Sequence, residues 1–158
     1  MNDTRVRRAE ARDIPAIMGL LVQVNMVHHS GRPDLFNGPT TKYTEAELAA
    51  LLEDNDTPVF VCVDEHDRVL GHGFCAMHHA GGRLLAEHDT LYIDDICVDE
   101  AARGRGVGRA IYERILEEAR ARGCYNVTLN VWTLNPGAMA FYERLGMKPY
   151  RVGMEQIL

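Results

Sequence analysis

The sequence predicts an α/β fold in one domain covering residues 1–158, and three observations carry this prediction. Strand-like and helix-like patterns alternate along the whole chain. Hydrophobic residues make up 46% and charged residues 25% of the sequence, a balance that is ordinary for a globular domain. Between residues 90 and 122, an apolar strand leads through a glycine-rich turn into an amphipathic helix, which is a common unit of α/β proteins.

The first third of the chain predicts one edge strand and two helices. A short polar strand covers Arg5–Ala9. Asp13 is an N-cap candidate for a helix that continues to about His28, with apolar residues at helical spacing. After a loop rich in glycine and proline, Thr44 and Glu47 form a capping box, which predicts the start of the second helix.

The middle of the chain predicts a hairpin followed by a central strand. The hairpin strands cover residues 58–64 and 68–79. Gly71 and Gly73, inside the second of them, indicate a bulge or a close approach of another backbone. The central strand covers residues 91–98.

The last third predicts two helices that alternate with two strands. A helix runs from about Gly108 to Arg122, and the next strand covers Tyr125–Trp132. A second helix begins at the N-cap candidate Asn135 and ends at Gly146. The final strand covers residues 149–157, where there is room for one long strand or two short ones.

Charge and composition narrow the classes of function. The net charge of −6 argues against a nucleic-acid binder. No apolar run reaches membrane-spanning length and the N-terminus lacks the apolar core of a signal peptide, so a cytoplasmic protein is expected. The cysteines have no CxxC spacing and are expected to be buried free thiols: Cys62, Cys75, Cys97 and Cys124.

The turn at residues 103–108, Arg-Gly-Arg-Gly-Val-Gly, has the composition of an anion-binding loop before a helix. A P-loop would end in Gly-Lys-Ser or Gly-Lys-Thr, which is absent. A dinucleotide-binding Gly-x-G-x-x-Gly pattern starting at Gly104 would require glycine where Arg109 stands. A third pattern, Arg/Gln-x-x-Gly-x-Gly/Ala, is met by Arg103, Gly106 and Gly108. A glycine- and arginine-rich surface turn is the alternative.

The third pattern resembles the pyrophosphate loop of the GCN5-related N-acetyltransferase (GNAT) family, which binds acetyl-coenzyme A. Residues 130–147 resemble the family's other signature, Asn-x-x-Ala-x-x-Phe-Tyr-x-x-x-Gly-Phe. Its positions are occupied by Asn135, Ala138, Phe141, Tyr142 and Gly146, with Met147 where phenylalanine is usual. This resemblance implies a mixed β-sheet with helices on both faces.

The resemblance also implies an N-acetyltransferase that moves an acetyl group directly from acetyl-CoA to a primary amine of a small molecule or protein. No metal is expected, because the seven histidines and four cysteines show no zinc-ligand spacing. A homodimer is common in the family. One alternative is an acyl-CoA-binding sensor that keeps the fold without turnover, and another is an acyltransferase for a longer acyl donor.

Tyr142 is the candidate general acid, since its position in the motif matches a family tyrosine near the CoA sulfur, and a phenol can protonate a thiolate. The alternative is a helix tyrosine that only packs. Asp94 and Asp95 are the candidate bases. Strict alternation along a strand would place these two carboxylates on opposite faces, whereas the β-bulge that the family has in this strand would break the alternation.

Asp94 matches the position where some relatives carry a glutamate that deprotonates the amine through water. An ordinary aspartate is a weak base at neutral pH, so burial or the neighbouring carboxylate would have to raise its pKa. Asp94 could equally hold the ammonium and order water. Both aspartates could instead be structural caps or pair with Arg103 or Arg105.

The residues expected to contact CoA come from three segments. The backbone of residues 96–98 matches the family segment that hydrogen-bonds the pantetheine arm, and the turn supplies amides for the pyrophosphate. Asn135 matches a family contact, although an N-cap role explains it equally well. The complete set is Ile96, Cys97, Val98, Arg103, Gly104, Arg105, Gly106, Val107, Gly108, Arg109, Asn135 and Tyr142.

Other side chains are assigned to the acceptor side or to packing. The region between the first two helices lines the acceptor cleft in relatives, and here it contains His28, His29, Phe36 and Tyr43. These residues could shape the acceptor site, or each could simply be a solvated surface residue. His72 and Trp132 are expected to be packing residues, with Trp132 a further candidate for the acceptor wall. The identity of the acceptor does not follow from the sequence.

Overall fold

Five strands form one sheet whose order follows the chain. The computed structural model describes residues 3–158, and its strands are β1 (Arg5–Arg8), β2 (Val59–Val63), β3 (Val69–Ala80), β4 (His88–Val98) and β5 (Asn126–Leu129). Neighbouring strands are antiparallel from β1 to β4, whereas β4 and β5 are parallel. The sheet is therefore mixed, as predicted, with β1 and β5 at its edges.

Within the described residues, four α-helices accompany the sheet: α1 (Ile14–Gly31), α2 (Glu45–Glu53), α3 (Val107–Ala121) and α4 (Pro136–Arg144). The predicted capping box of α2 is confirmed, because the Glu47 N–H donates to Thr44 Oγ1 at 3.2 Å and the Thr44 N–H donates to Glu47 Oε2 at 2.8 Å. Within residues 3–158, no helix has the length and hydrophobicity needed to cross a membrane.

Two apolar layers hold the helices against opposite faces of the sheet. On one face, α3 packs through Ile111 and Ile115, both completely buried, against alternate residues of the strands. On the other face, Ile17 and Leu21 of α1 and Leu48 of α2 pack against the remaining strand residues. The apolar periodicities of these helices thus point to the sheet.

Gly73 allows α3 to lie unusually close to β3. A Cβ atom at this position would be 2.7 Å from Cγ2 of Ile111 and 3.1 Å from Cδ1 of Ile115. The sequence left a bulge or a close backbone approach open at Gly71 and Gly73. Both features occur at Gly71, where the register of β2 and β3 shifts and a Cβ atom would be 2.8 Å from the Cys97 carbonyl oxygen. At Gly73 the close atoms are helix side chains, which occupy the space of the missing methyl group.

The beginning of α1 differs from the prediction. Asp13 directly precedes α1 and is the last residue of a short 3₁₀ turn, Ala11–Asp13. Its carboxylate makes no capping hydrogen bond to the helix. Its two oxygens instead accept hydrogen bonds from the Arg7 guanidinium at 2.7 and 3.0 Å and from the Glu10 N–H at 2.8 Å. The Asp13 carboxylate therefore binds the Arg7 guanidinium and the Glu10 amide instead of the first amides of α1.

The end of the chain also differs from the prediction. The predicted strand at residues 149–157 is wrong, because within residues 3–158 the segment 148–158 makes no backbone hydrogen bond and pairs with no strand. An ion pair of 2.6 Å joins Glu155 of this segment to Arg32, the residue that follows α1. β5 is also shorter than predicted, since the chain turns after Leu129 and closes a turn between Trp132 and Asn135.

The cysteines are free thiols, as predicted. Cys62, Cys75 and Cys97 are buried, whereas Cys124 is partly exposed. Burial raises the pKa of the Cys75 and Cys97 thiols to about 12, so both behave as small apolar side chains.

Candidate active site

The glycine-rich turn leads into the N-terminus of α3. Gly104 and Gly106 have φ angles of 75° and 80°, which favour glycine, and Gly106 is the N-cap. The first amide of this helix with a described backbone acceptor is that of Ala110, which donates to the Gly106 carbonyl at 3.0 Å. The amides of Val107 and Gly108 therefore face outward at the positive end of the helix, as an anion requires.

The turn lies where two parallel strands separate. β4 and β5 are paired only between Thr90–Ile93 and Asn126–Leu129, yet β4 continues to Val98. On the β5 side, the backbone of residues 94–98 has no ladder partner within residues 3–158. The opening starts where β4 and the edge strand β5 stop pairing and leads along β4 to the glycine-rich turn, so an extended ligand could pair with the open edge of β4.

A β-bulge in β4 brings both aspartates to one face of the sheet. Phe74 of β3 is opposite Asp95, but the next residue, Cys75, is opposite Ile93, so that Asp94 is the extra residue. The alternation that would separate the two carboxylates is therefore broken, and the bulge implied by the resemblance is confirmed. Both side chains lie on the α1 and α2 side, away from α3.

Asp94 is held by the loop that precedes α2. Its Oδ2 accepts a hydrogen bond from the Tyr43 hydroxyl at 3.1 Å and forms an ion pair of 2.5 Å with Lys42 Nζ. Burial, followed by the charge of Asp94, raises the pKa of the Tyr43 phenol well above its ordinary value. Asp94 therefore already binds a primary ammonium group, that of Lys42.

The Asp95 carboxylate is held by a buried histidine on the neighbouring strand β3. His72 of β3 is completely buried, and its Nε2 lies 3.0 Å from Asp95 Oδ2. His72 does pack, as predicted, with its ring edge-on to Phe74 at 4.9 Å between centroids. The hydrogen bond to Asp95 had no counterpart in the sequence, because the two residues are 23 positions apart and meet only through strand register.

Tyr142 lies on α4, near Asp95 and the end of β4. Burial, followed by the charge of Asp95, raises the pKa of the phenol well above its ordinary value. The hydroxyl has no hydrogen-bond partner within residues 3–158. It is thus protonated at neutral pH and available as a donor.

Three further residues near this opening come from α4, its N-cap and β4. Phe141, beside Tyr142, is so near the turn that a Cβ at Gly108 would be 3.0 Å from its ring. Asn135 caps α4, because its side chain accepts a hydrogen bond from the Ala138 N–H at 3.2 Å. The thiol of Cys97 points to α1 and contacts the Leu20 carbonyl at 3.5 Å, which leaves its backbone on the open edge.

An aromatic cluster lies on the acceptor side. The Phe36 ring contacts His28 at 4.9 Å and Trp132 at 5.0 Å between centroids, and His29 Nδ1 lies 2.7 Å from the Phe36 carbonyl. The cluster joins α1, the following loop and the segment after β5. A small cavity of about 160 Å³ beside Asp94 is lined by Tyr43, Leu51, Thr57, Phe74, Cys75, Ala76, His78 and Tyr92.

The structure thus brings together Tyr142, Asp95, Asp94 and the open edge of β4. It adds Lys42 and His72, which the sequence did not assign to the site. Lys42 carries no motif, and His72 looked like an ordinary strand residue. Within residues 3–158, no three metal-ligating side chains form a cluster.

Comparisons with known proteins agree with this architecture. The profile of the acetyltransferase (GNAT) family matches residues 25–147. A probable glucosamine 6-phosphate N-acetyltransferase 2 from Oryza sativa subsp. japonica is 31% identical over 158 residues, covering 90% of this chain and 80% of the relative. The glucosamine 6-phosphate N-acetyltransferase 1 of the same organism is 41% identical over 82 residues, so the match spans about half of that relative, 48% of its length.

Solved structures extend the likeness to the whole chain. A mutant form of the BH1408 protein from Bacillus halodurans superimposes with a TM-score of 0.93 at 30% identity, covering 97% of this chain and 98% of that one. An aminoglycoside N-acetyltransferase, AAC(6')-Iy in complex with CoA, shares the fold with a TM-score of 0.73 at 14% identity, over 99% and 96% of the two chains. The chain therefore belongs to the GNAT family of acyl-CoA-dependent N-acetyltransferases.

Proposed function

We propose that this protein transfers the acetyl group of acetyl-CoA directly to a primary amine, with Tyr142 as proton donor, Asp94 on the amine side and Asp95 as the second carboxylate of the site. The observation that carries the proposal is a convergence at one opening of the sheet. The amides of the glycine-rich turn, the unpaired edge of β4, a protonated phenol and two carboxylates all border it. The amides suit the negative charge of the donor's pyrophosphate, the phenol can protonate the leaving thiolate, and the carboxylates suit the positive charge of the amine.

The donor half of the site would hold CoA in three places. Amides of residues 104–109 would bind the pyrophosphate, with the guanidinium groups of Arg103 and Arg109 near it. The backbone of residues 96–98 would pair with the pantetheine arm as an added strand. One of these amides could also donate to the thioester carbonyl oxygen as negative charge develops there.

The transfer itself needs two proton movements. A neutral amine nitrogen attacks the thioester carbonyl carbon, the C–S bond breaks, and the thiolate receives a proton. Tyr142 is suited to donate this proton, because its raised pKa keeps the phenol protonated at neutral pH. The proton lost by the amine leaves through Asp94 or through water that Asp94 orders.

The acceptor is proposed to be a small cationic amine. Asp94 pairs with the Lys42 ammonium, and an acceptor ammonium has the same chemistry, so the acceptor could exchange with Lys42 at this carboxylate. Relatives named as glucosamine 6-phosphate N-acetyltransferases make amino sugars and their phosphates the first acceptors to test.

The test begins with calorimetric titration of the protein with acetyl-CoA, with ATP and NADH as controls. Binding of acetyl-CoA alone is expected, followed by thiol release in the presence of an amine from the panel. Binding without thiol release for any amine would favour an acyl-CoA sensor. Faster release from propionyl- or succinyl-CoA than from acetyl-CoA would mean a different acyl donor.

Tyr142→Phe tests the proton donor. The variant should lower kcat about 10- to 100-fold, because the phenol proton is lost while the ring remains, with little change in acetyl-CoA affinity. Phe141→Leu, at the neighbouring position, is the control for disturbed packing of α4. An unchanged kcat in Tyr142→Phe would remove the role of Tyr142.

We also propose that the chain forms a homodimer. Residues 148–158 expose apolar side chains, including Val152 and Met154, and β5 is an edge strand with one side open. Exposed apolar segments and open strand edges are both typical of association surfaces. In a two-fold dimer the same surface of each copy would meet, so this segment would lie on both sides of the interface.

A further inference from the structure

His72 is an unusual residue for its position in β3. In the sheet register it lies opposite Val61 of β2 and Cys97 of β4, and both neighbours are buried. An apolar side chain would fill this position without any polar group to satisfy. A completely buried imidazole, in contrast, requires hydrogen bonds to offset the loss of water.

Hydrogen bonding accounts for only one of the two ring nitrogens. Nε2 lies 3.0 Å from Asp95 Oδ2, whereas Nδ1 is buried and has no hydrogen-bond partner within residues 3–158. A proton on Nδ1 would be left unpaired, so the proton belongs on Nε2, which donates to the carboxylate. The ring is thus directed toward Asp95 and toward no other polar group.

The Asp95 carboxylate lies near three other titratable groups of the site. Its negative charge acts on the Tyr142 phenol of α4, on the Cys97 thiol of β4 and on the His28 imidazole of α1. Oδ2 is taken by His72, and Oδ1 has no hydrogen-bond partner within residues 3–158. The orientation of this carboxylate therefore decides which oxygen faces the proton donor and the reacting groups.

We propose that His72 is a positioning residue that holds the Asp95 carboxylate in place for acetyl transfer. The proposal rests on the proposed function and deepens it, because it assigns Asp95 to the reaction and Asp94 to the amine. The bulge at Asp94 turns Asp95 toward the α1 face, and His72 fixes the turned carboxylate from inside the sheet. His72 itself contacts neither substrate.

The first test compares three variants in the thiol-release assay. His72→Leu removes the donor, and kcat should fall about 10-fold or more while KM for acetyl-CoA stays unchanged, because a displaced catalytic group costs rate more than binding. His72→Gln keeps an N–H donor and should retain most of kcat. Val61→Ala opens a cavity beside His72 without touching Asp95, so it should lower the melting temperature and leave kcat unchanged.

A double-mutant cycle separates positioning from packing. Asp95→Asn alone should lower kcat, and adding His72→Leu to it should then change kcat by less than about 2-fold, because the residue acts through Asp95. Additive losses of kcat would overturn the proposal. Equal losses in His72→Leu and Val61→Ala would overturn it as well, since both would then reflect loosened packing.

A measurement without turnover keeps the proposal separate from the proposed function. Nitrogen chemical shifts of the His72 ring should report a proton on Nε2 in the wild-type protein and a changed Nε2 environment in Asp95→Asn. Identical shifts in the two proteins would overturn the positioning role, even with full acetyl transfer. Absence of transfer with the expected shifts would instead contradict the proposed function.

Discussion

At the scale of single residues, burial decides which charges matter. Asp13 and Arg7 form a nearly buried ion pair, with 4% and 17% of their side chains exposed, whereas the pair of Arg32 with Asp34 lies at the surface. Hydrogen bonds from Arg7 and the Glu10 N–H lower the pKa of Asp13, although burial acts against this shift. Asp13 therefore joins β1 to α1 as a permanent anion at neutral pH.

Asp13→Asn should lower the free energy of unfolding by about 3 kcal/mol at pH 7, because Arg7 is left partly unpaired. The folded pKa is below the unfolded one, so the contribution is complete above about pH 4 and is lost as pH falls through the folded pKa. Urea unfolding at pH 7 and near pH 3 checks this. The loss should shrink in acid, and a loss independent of pH would contradict the pairing. Asp34→Asn is the exposed control, with a smaller effect expected.

At the scale of elements, the distance between α3 and the sheet depends on Gly73. Because the glycine-rich turn leads into α3, the packing of α3 against β3 also sets the position of the anion-binding amides. The side chains that would meet a new methyl group belong to the fully buried Ile111 and Ile115, and the nearest atom is on the branched carbon of Ile111.

Gly73→Ala should therefore destabilise the protein by about 1–3 kcal/mol through overpacking. Gly19→Ala is the matched control, since Gly19 lies in α1 with nothing within 4 Å of the added Cβ. That substitution should stabilise by about 0.5–1 kcal/mol through helix propensity. Urea unfolding of both variants measures the difference, and equal effects would show that α3 can move away from β3 without cost.

At the scale of the whole molecule, the segment after α4 stands apart from both apolar layers. Residues 148–158 carry exposed apolar side chains and pair with no described strand. Each of the strands β1 to β5, in contrast, is paired on at least one side. Such a segment gains more from a second copy of the chain than from water. The homodimer is therefore expected to depend on it.

Light scattering should give a mass of twice 17.7 kDa for the wild-type chain and a single chain mass after deletion of residues 149–158. Met154→Asp should weaken the dimer, because it places a charge in the exposed segment. Leu84→Asp is the matched control, as Leu84 is equally exposed, at 92% against 89% for Met154, but lies in another loop. A monomeric wild-type protein would contradict the homodimer.

Much of the fold and half of the site could be predicted from the sequence. The four helices, the mixed sheet and the glycine-rich turn rest on signals within a few residues of one another, such as the capping box at Thr44 and the spacing from Arg103 to Gly108. Tyr142 was identified in the same way, by its place in a contiguous motif. These features depend on local backbone preferences, which the chain carries in any environment.

Only the tertiary structure decided the arrangement of the carboxylates. The bulge at Asp94, the contact of His72 with Asp95 and the pairing of Lys42 with Asp94 join segments that are far apart in sequence. The unpaired C-terminal segment belongs to the same group, because its residues have the pattern of a strand but lack a neighbouring strand. The sequence by itself therefore determined the helices, the first five strands and the family, but not the last strand. Strand register and burial, which depend on contacts between distant residues, decided which charged groups meet.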